Sequence, residues 1–372
     1  MGQSRLYVAP FGEYSETAMK GSFSAVAPTS MNQMSVAVCI PTYNQASYLQ
    51  ETVESVLRQT RPVQQIIISD DASTDDTAAV CVELAKRSPL IRYHRQPVNR
   101  GIAGNTDFAM RQASADLVVR VDSDDRLLPD YVARLAAALE AESSAGYAHC
   151  AVWEIDQEGR RGELLRVFRA PGLQPADDAL RAAVSGYRVA ANILMFRRSA
   201  LAAVGYTTGR PDYVEDYHLS VALARAGWTN WYCDEPLAEY RVWMDVKRTR
   251  AGRKILELEG YRRVFEDQLS PGFSEQGWKV SPLVLARRRL AARHAGAFVE
   301  NAFDEAGKKQ IVAALERLGQ GWRLSLRLGA IRLGLGYGLV RWERDLVRTK
   351  KWIKRSAFRQ GLMKLVQRSH PN

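Results

Sequence analysis

Over residues 35–150 the chain alternates short β-branched apolar runs with stretches whose apolar residues recur every three to four positions. Such alternation admits few folds, because strands joined by helices form a parallel sheet with helices packed on its faces. Residues 35–40, 65–69, 91–94 and 117–121 read as the first four strands, the second centred on Ile66, Ile67 and Ile68. Helices are expected between them. Leu49, Val53, Val56 and Leu57 give residues 48–58 a helical period. Residues 75–87 follow with Thr74 as the cap, then 104–113, then 129–142 with Pro129 in its first turn. Further strands are expected at 147–155, 192–196 and 230–233, and a helix at 214–226 ended by Gly227. From about residue 250 helical patterns dominate.

In sheets of this kind ligands bind beyond the carboxyl ends of the strands. Here those ends are polar: Pro41-Thr42-Tyr43-Asn44, Asp70-Asp71-Ala72-Ser73 and Asp122-Ser123-Asp124-Asp125. Any one of them is ordinary turn chemistry. Three in register at one sheet edge outline a single pocket. The third is costly as it stands, because carboxylates a few ångströms apart repel and raise one another's pKa. A hard divalent cation, Mn2+ or Mg2+, removes that cost and shares its shell with phosphates. The rival reading is a polar loop that caps the next helix.

Charge is unevenly placed. The chain has 372 residues and a net charge of +11, and residues 310–372 carry all of it, with ten Arg and four Lys against Glu316, Glu343 and Asp345. The remainder is formally neutral, with an ordinary apolar content of 46%. Trp322, Trp342 and Trp352 are interleaved with the basic residues of this tail. Such a segment suits an anionic membrane surface, or a helical unit packed on the body or on a second subunit as a homodimer. It lacks a nucleic-acid reading module, so no nucleic acid is expected as a partner. Cys39, Cys81, Cys150 and Cys233 form no C-x-x-C pair and read as reduced thiols of a cytoplasmic protein. Residues 1–34 read as a disordered leader without a signal-peptide pattern. Arg327, Arg332 and Arg341 interrupt the longest apolar stretch, which argues against a membrane-spanning helix.

Five elements in order resemble glycosyltransferase family 2: Ile40-Pro41-Thr42-Tyr43-Asn44, Asp70 to Thr77, Asn99-Arg100-Gly101, Asp122-Ser123-Asp124-Asp125 and Glu215-Asp216. The resemblance covers roughly residues 35–245. It implies an α/β fold of the GT-A type, a Rossmann-like, mostly parallel sheet flanked by helices. This catalytic domain would span 35–250, with a helical, basic C-terminal region over 251–372. It also implies roles. Pro41, Thr42, Tyr43 and Asn44 would line the donor's base and ribose. Asp71 would accept a hydrogen bond from the base, with Asp70 close by. Asn99, Arg100 and Gly101 would bring backbone and a guanidinium to the donor, while Asp75 and Asp76 fit helix capping better.

In the DxD-like element, Asp124 would hold a divalent metal on the donor phosphates. Asp122 would contact ribose beside Ser123, and Asp125 competes for the metal. Asp216, with Glu215 second, would be the base that deprotonates the acceptor hydroxyl. Two departures stand out. Trp243 replaces a histidine common in relatives at the end of Tyr240-Arg241-Val242-Trp243, and indole offers no metal-binding nitrogen. The Q-x-x-R-W element of processive synthases is missing, which implies one sugar per encounter. The resemblance thus implies an inverting, metal-dependent transfer from a nucleotide-sugar donor to a glycan or lipid-linked acceptor; the thiols and the basic tail point to the cytoplasm or the inner membrane face. The rivals are a nucleotidyltransferase, for which the first strand lacks a glycine-rich Lys loop, and a silent glycan-binding scaffold, which the intact acids disfavour.

Overall fold

Valine and isoleucine dominate the strand centres, and their alternation divides the core in two. The computed structural model describes residues 33–335 other than 168, 187, 188, 208, 211, 212, 244–246 and 297–302, the side chains of 247–252 excepted. The expected leader lies almost wholly outside the described residues, as do Trp342 and Trp352. In chain order the first half comprises β1 (Val36–Thr42), α1 (Ala46–Leu57), β2 (Gln65–Asp70), α2 (Thr77–Arg87), β3 (Ile91–Arg95), α3 (Gly101–Arg111), β4 (Leu117–Arg120), β5 (Arg126–Leu127) and α4 (Tyr131–Ala141). Then come β6 (Ala145–Ile155), β7 (Arg161–Leu165), β8 (Gly172–Gln174), α5 (Ala176–Ala183), β9 (Leu194–Arg197), α6 (Arg198–Val204), α7 (Glu215–Arg225) and β10 (Thr229–Arg241). The rest is helical: α8 (Lys247–Arg263), a π-helical segment (Val264–Leu269), α9 (Ser270–Glu275), α10 (Ser281–His294), α11 (Glu305–Gly319) and α12 (Trp322–Arg332).

Among the described residues ten strands form one mixed sheet in the order β3-β2-β1-β4-β9-β6-β10-β5, with β7 on β6 and β8 on β10. The half that begins at β3 is parallel through β4, and β6 runs parallel to β10. Strand β9 enters antiparallel between β4 and β6, and β5, β7 and β8 are antiparallel additions. Because successive strand side chains face opposite ways, Val36, Val38, Ile40, Ile66, Ile68 and Val119 pack with α1, α2 and α4. Ala37, Cys39, Ile67 and Val118 pack instead with α3, α6 and α7.

A separate core unites α5, α7 and the C-terminal helices around Tyr217, Leu258, Phe265, Ile311 and Leu315. Helix α7 serves both cores, with Leu219 and Leu223 toward the sheet and Tyr217 and Val221 toward the helical unit.

Several boundaries differ from expectation for local reasons. Thr74 does not cap α2; Asp75 Oδ1 accepts from the Thr77 amide at 3.0 Å, while Thr74 turns to Asn44. Helix α4 begins at Tyr131, leaving Pro129 outside with its carbonyl bonded by the Thr60 amide. Strand β10 runs far past residue 233, carried over Pro236 by register shifts against β6.

Candidate active site

The parallel strands β2, β1 and β4 bring their carboxyl ends to one edge, and the turns there are tied together. The Asp71 amide donates to the Thr42 carbonyl at 2.9 Å, and the Val121 amide to Cys39 at 3.2 Å. Asn44 takes the left-handed region at φ 52°, and its amide oxygen accepts from the Thr74 amide at 2.8 Å. Ala72 is left-handed as well, at φ 59°. Such backbone is costly for residues with a Cβ and tends to gather at functional turns.

Asp70 is fully enclosed. Its Oδ1 accepts from the Ser73 amide at 2.9 Å and its Oδ2 from the Tyr93 hydroxyl at 3.0 Å, so both oxygens hold the turn together. Asp71 accepts from the Arg100 amide at 2.7 Å, which joins the second turn to the loop that opens α3. Burial pushes the Asp71 carboxyl up, against the pull of the Arg100 and Gly101 amides. Asn99 brackets that loop, accepting from the Gly101 amide at 3.0 Å and donating to the Asp71 carbonyl at 3.2 Å. Gly101 sits at φ 74°. The Arg100 side chain is exposed, with its guanidinium 5.6 Å from the Phe108 ring centre. Pro41 and Thr42 are buried and Tyr43 is exposed at the rim. Thr42 Oγ1 is buried without a hydrogen-bond partner among the described residues.

The acids of the turn after β4 divide sharply. Asp125 is buried, and its Oδ1 accepts from the Arg241 amide at 2.8 Å, which pins β10 to the turn. Burial and the neighbouring Asp124 and Asp122 raise its carboxyl well above the usual range. Ser123 is buried too, and its carbonyl, like that of Asp125, accepts from the Thr52 hydroxyl of α1. Asp124 accepts through Oδ2 from the Trp243 indole N–H at 2.6 Å, and the Trp243 ring meets Tyr48 edge-on at 5.3 Å. Burial, then the charge of Asp122, raises the Asp124 carboxyl. Asp122 is half-buried, and its Oδ1 accepts from Arg120 Nη2 at 3.2 Å.

Arg120 is the residue that sequence reasoning passed over. It lies almost fully buried in β4, and besides Asp122 it pairs with Asp216 Oδ1 at the start of α7. Burial works against its charge, but Asp122, Asp216 and Glu215 outweigh this and hold the guanidinium protonated. Burial raises the Asp216 carboxyl, opposed by Arg120. Glu215 and Asp216 are both buried in the first turn of α7, where the helix dipole favours acids. One guanidinium therefore links the strand-end acids to the helix-start acids. A lone Arg inside Leu117-Val-Val-Arg-Val was the signal in the sequence, since a buried charge is kept only when paired.

Among the described residues no three His, Cys, Asp or Glu side chains cluster as a self-sufficient metal site. The donor set nonetheless fits a cation that shares its shell with a ligand. Oδ1 of Asp124 and Oδ2 of Asp122 receive no donor from any other described residue, and Asp124 has no basic side chain on its carboxylate. Two open carboxylate oxygens completed by phosphate and water are what Mg2+ commonly takes. Asp125, turned into the protein, does not join them.

The glycosyl transferase family 2 model matches residues 37–203. A Bacillus subtilis protein named for teichuronic acid biosynthesis, glycosyltransferase TuaG, is 30% identical over 209 residues, covering 56% of this chain and 79% of its own. A Campylobacter jejuni GalNAc(5)-diNAcBac-PP-undecaprenol beta-1,3-glucosyltransferase is 32% identical over 140 residues, 37% of this chain and 43% of its own. Two solved structures share the fold. S. aureus TarS 1–349 in complex with UDP-GlcNAc has a TM-score of 0.51 and 16% identity, covering 81% of this chain and 92% of that one. The Pyrobaculum calidifontis mannosyltransferase PcManGT, in complex with GDP-Man and Mn2+, has a TM-score of 0.50 and 20% identity over 89% of each chain. The expected GT-A architecture is thus borne out, and with the motifs and the TuaG match the chain belongs to glycosyltransferase family 2.

Proposed function

We propose that this glycosyltransferase is inverting and metal-dependent, moving one sugar per encounter from a nucleoside-diphosphate sugar to a hydroxyl of a glycan or lipid-linked glycan. The observation that carries the reading is the Asp122–Arg120–Asp216 chain of ion pairs, which sets the acids of the donor edge against those of α7. Asp124 and Asp122 would hold Mn2+ or Mg2+ through their open oxygens. When bound, such a cation acts as a Lewis acid on the departing diphosphate, worth several kcal/mol.

The chain's own residues do the rest. The loops at Pro41–Asn44, Asp70–Ser73 and Asn99–Gly101 enclose the base and ribose. Asp216, where Arg120 opposes the upward push of burial on the carboxyl, takes the proton of the acceptor hydroxyl, with Glu215 beside it. A positioned base contributes about 10²–10⁴ in rate. Arg120 holds Asp122 and Asp216 in fixed relation, so the donor side and the base keep their distance. A role in surface polysaccharide synthesis is supported by relatives named for teichuronic acid biosynthesis and for transfer to an undecaprenol-linked glycan.

The test is a thermal-shift screen of UDP-, GDP- and dTDP-sugars with and without Mn2+. The reading expects a rise in Tm for one donor class that requires the cation. Equal midpoints for every donor, with and without Mn2+, would overturn it.

A further inference from the structure

Helix α12 is apolar on two opposite faces. Leu324 and Leu328 are buried against the helical unit. Trp322 and Leu326 are 69% and 64% exposed, and Leu333, just past the last turn, is 77% exposed. At about 100° per residue these three fall within roughly 40° of one another, opposite the buried pair. Arg323 and Arg332 flank the exposed stripe on its two sides, both open to solvent. Arg327 is engaged with the Ala292 carbonyl of α10, which fixes how α12 lies. The neighbouring α10 adds exposed Val284 and Leu285 together with exposed Arg288, Arg289 and Arg293. Neither helix carries an acid.

We infer that this face of α10 and α12 docks on an anionic lipid surface, with Trp322, Leu326 and Leu333 entering the headgroup region and the flanking arginines meeting lipid phosphates. Charge selects that occupant. Residues 336–372 hold ten basic residues against Glu343 and Asp345, so the chain's own end would be repelled by the arginines. A second copy would bring the same arginines to the same face. An apolar stripe flanked by Arg is the composition of a helix lying in the plane of a membrane interface, and no described helix is long and apolar enough to cross a membrane. The inference stands apart from the donor site, and its test measures no sugar transfer.

The full chain is floated with vesicles of phosphatidylglycerol and phosphatidylcholine at 3:1, and with phosphatidylcholine alone. Flotation should require the anionic lipid. The double variant Trp322→Ser, Leu326→Ser changes only exposed positions, and it should lower the floated fraction about tenfold with an unchanged circular dichroism spectrum. A second variant, Arg323→Glu with Arg332→Glu, should do the same. Failure of the wild-type protein to float overturns the inference, as does equal flotation of both variants. So does light scattering that shows a wild-type dimer broken to monomers by the serine variant, because a second copy would then be the occupant.

Discussion

Two acidic turns cap the strands on either side of β1, and the contrast between them is the instructive feature of this molecule. In the turn after β2, Asp70 spends both oxygens on Ser73 and Tyr93, and Asp71 accepts the Arg100 amide. In the turn after β4, Asp125 is spent in the same way on Arg241, but Asp122 and Asp124 each keep one oxygen open. Identical side chains at equivalent ends of parallel strands thus do different work. The first turn shapes a pocket from backbone, and the second presents charge. The local hydrogen-bond donors decide which.

Three substitutions break or sharpen that contrast. Asp216→Asn removes the acid across Arg120 from the open pair. Donor affinity should stay near normal while kcat falls at least about a hundredfold; turnover within a few-fold of wild type would move the base elsewhere. Trp243→Phe keeps the ring against Tyr48 but removes the indole N–H that orients Asp124. Loss of such an outer contact typically lowers metal affinity about 10–100-fold. Electron paramagnetic resonance of free Mn2+ in the presence of UDP or GDP reads this directly, and unchanged affinity would reduce Trp243 to packing. Asp70→Asn should act through the fold alone. Placing an amide among groups that donate to a carboxylate costs roughly 1–3 kcal/mol, visible as a lower midpoint in denaturant, with nucleotide Kd unchanged for the folded fraction. A Kd shift without a stability change would mean that Asp70 reaches the donor.

Legibility followed the physical signal. The strands β1, β2 and β4 are readable because buried strands are near-continuous apolar runs, and their polar ends because function concentrates at loops on a rigid scaffold. Strand β10 reads short from the sequence, since Asp234-Glu235-Pro236 follows the apolar residues with groups that strands disfavour. Neighbouring β6 keeps its pairing through irregular register there, which no local pattern encodes. Arg120 hid inside an apolar run; its meaning depends on Asp216, 96 residues away. Trp243 was visible as a substitution, while its bond to Asp124 needed the third dimension. The resemblance to the DxD element offers Asp125 beside Asp124 as a metal candidate, and the chain turns it inward to the Arg241 amide.

The central claim is that the open oxygens of Asp122 and Asp124 grip a diphosphate through a cation. Isothermal titration of the wild-type protein and of Asp124→Ala with UDP and GDP, each with Mn2+ and with EDTA, tests it most directly. The account predicts binding of one nucleotide to the wild-type protein only with Mn2+, and none to Asp124→Ala in either condition. Equal heats for both proteins, or wild-type binding untouched by EDTA, would contradict it.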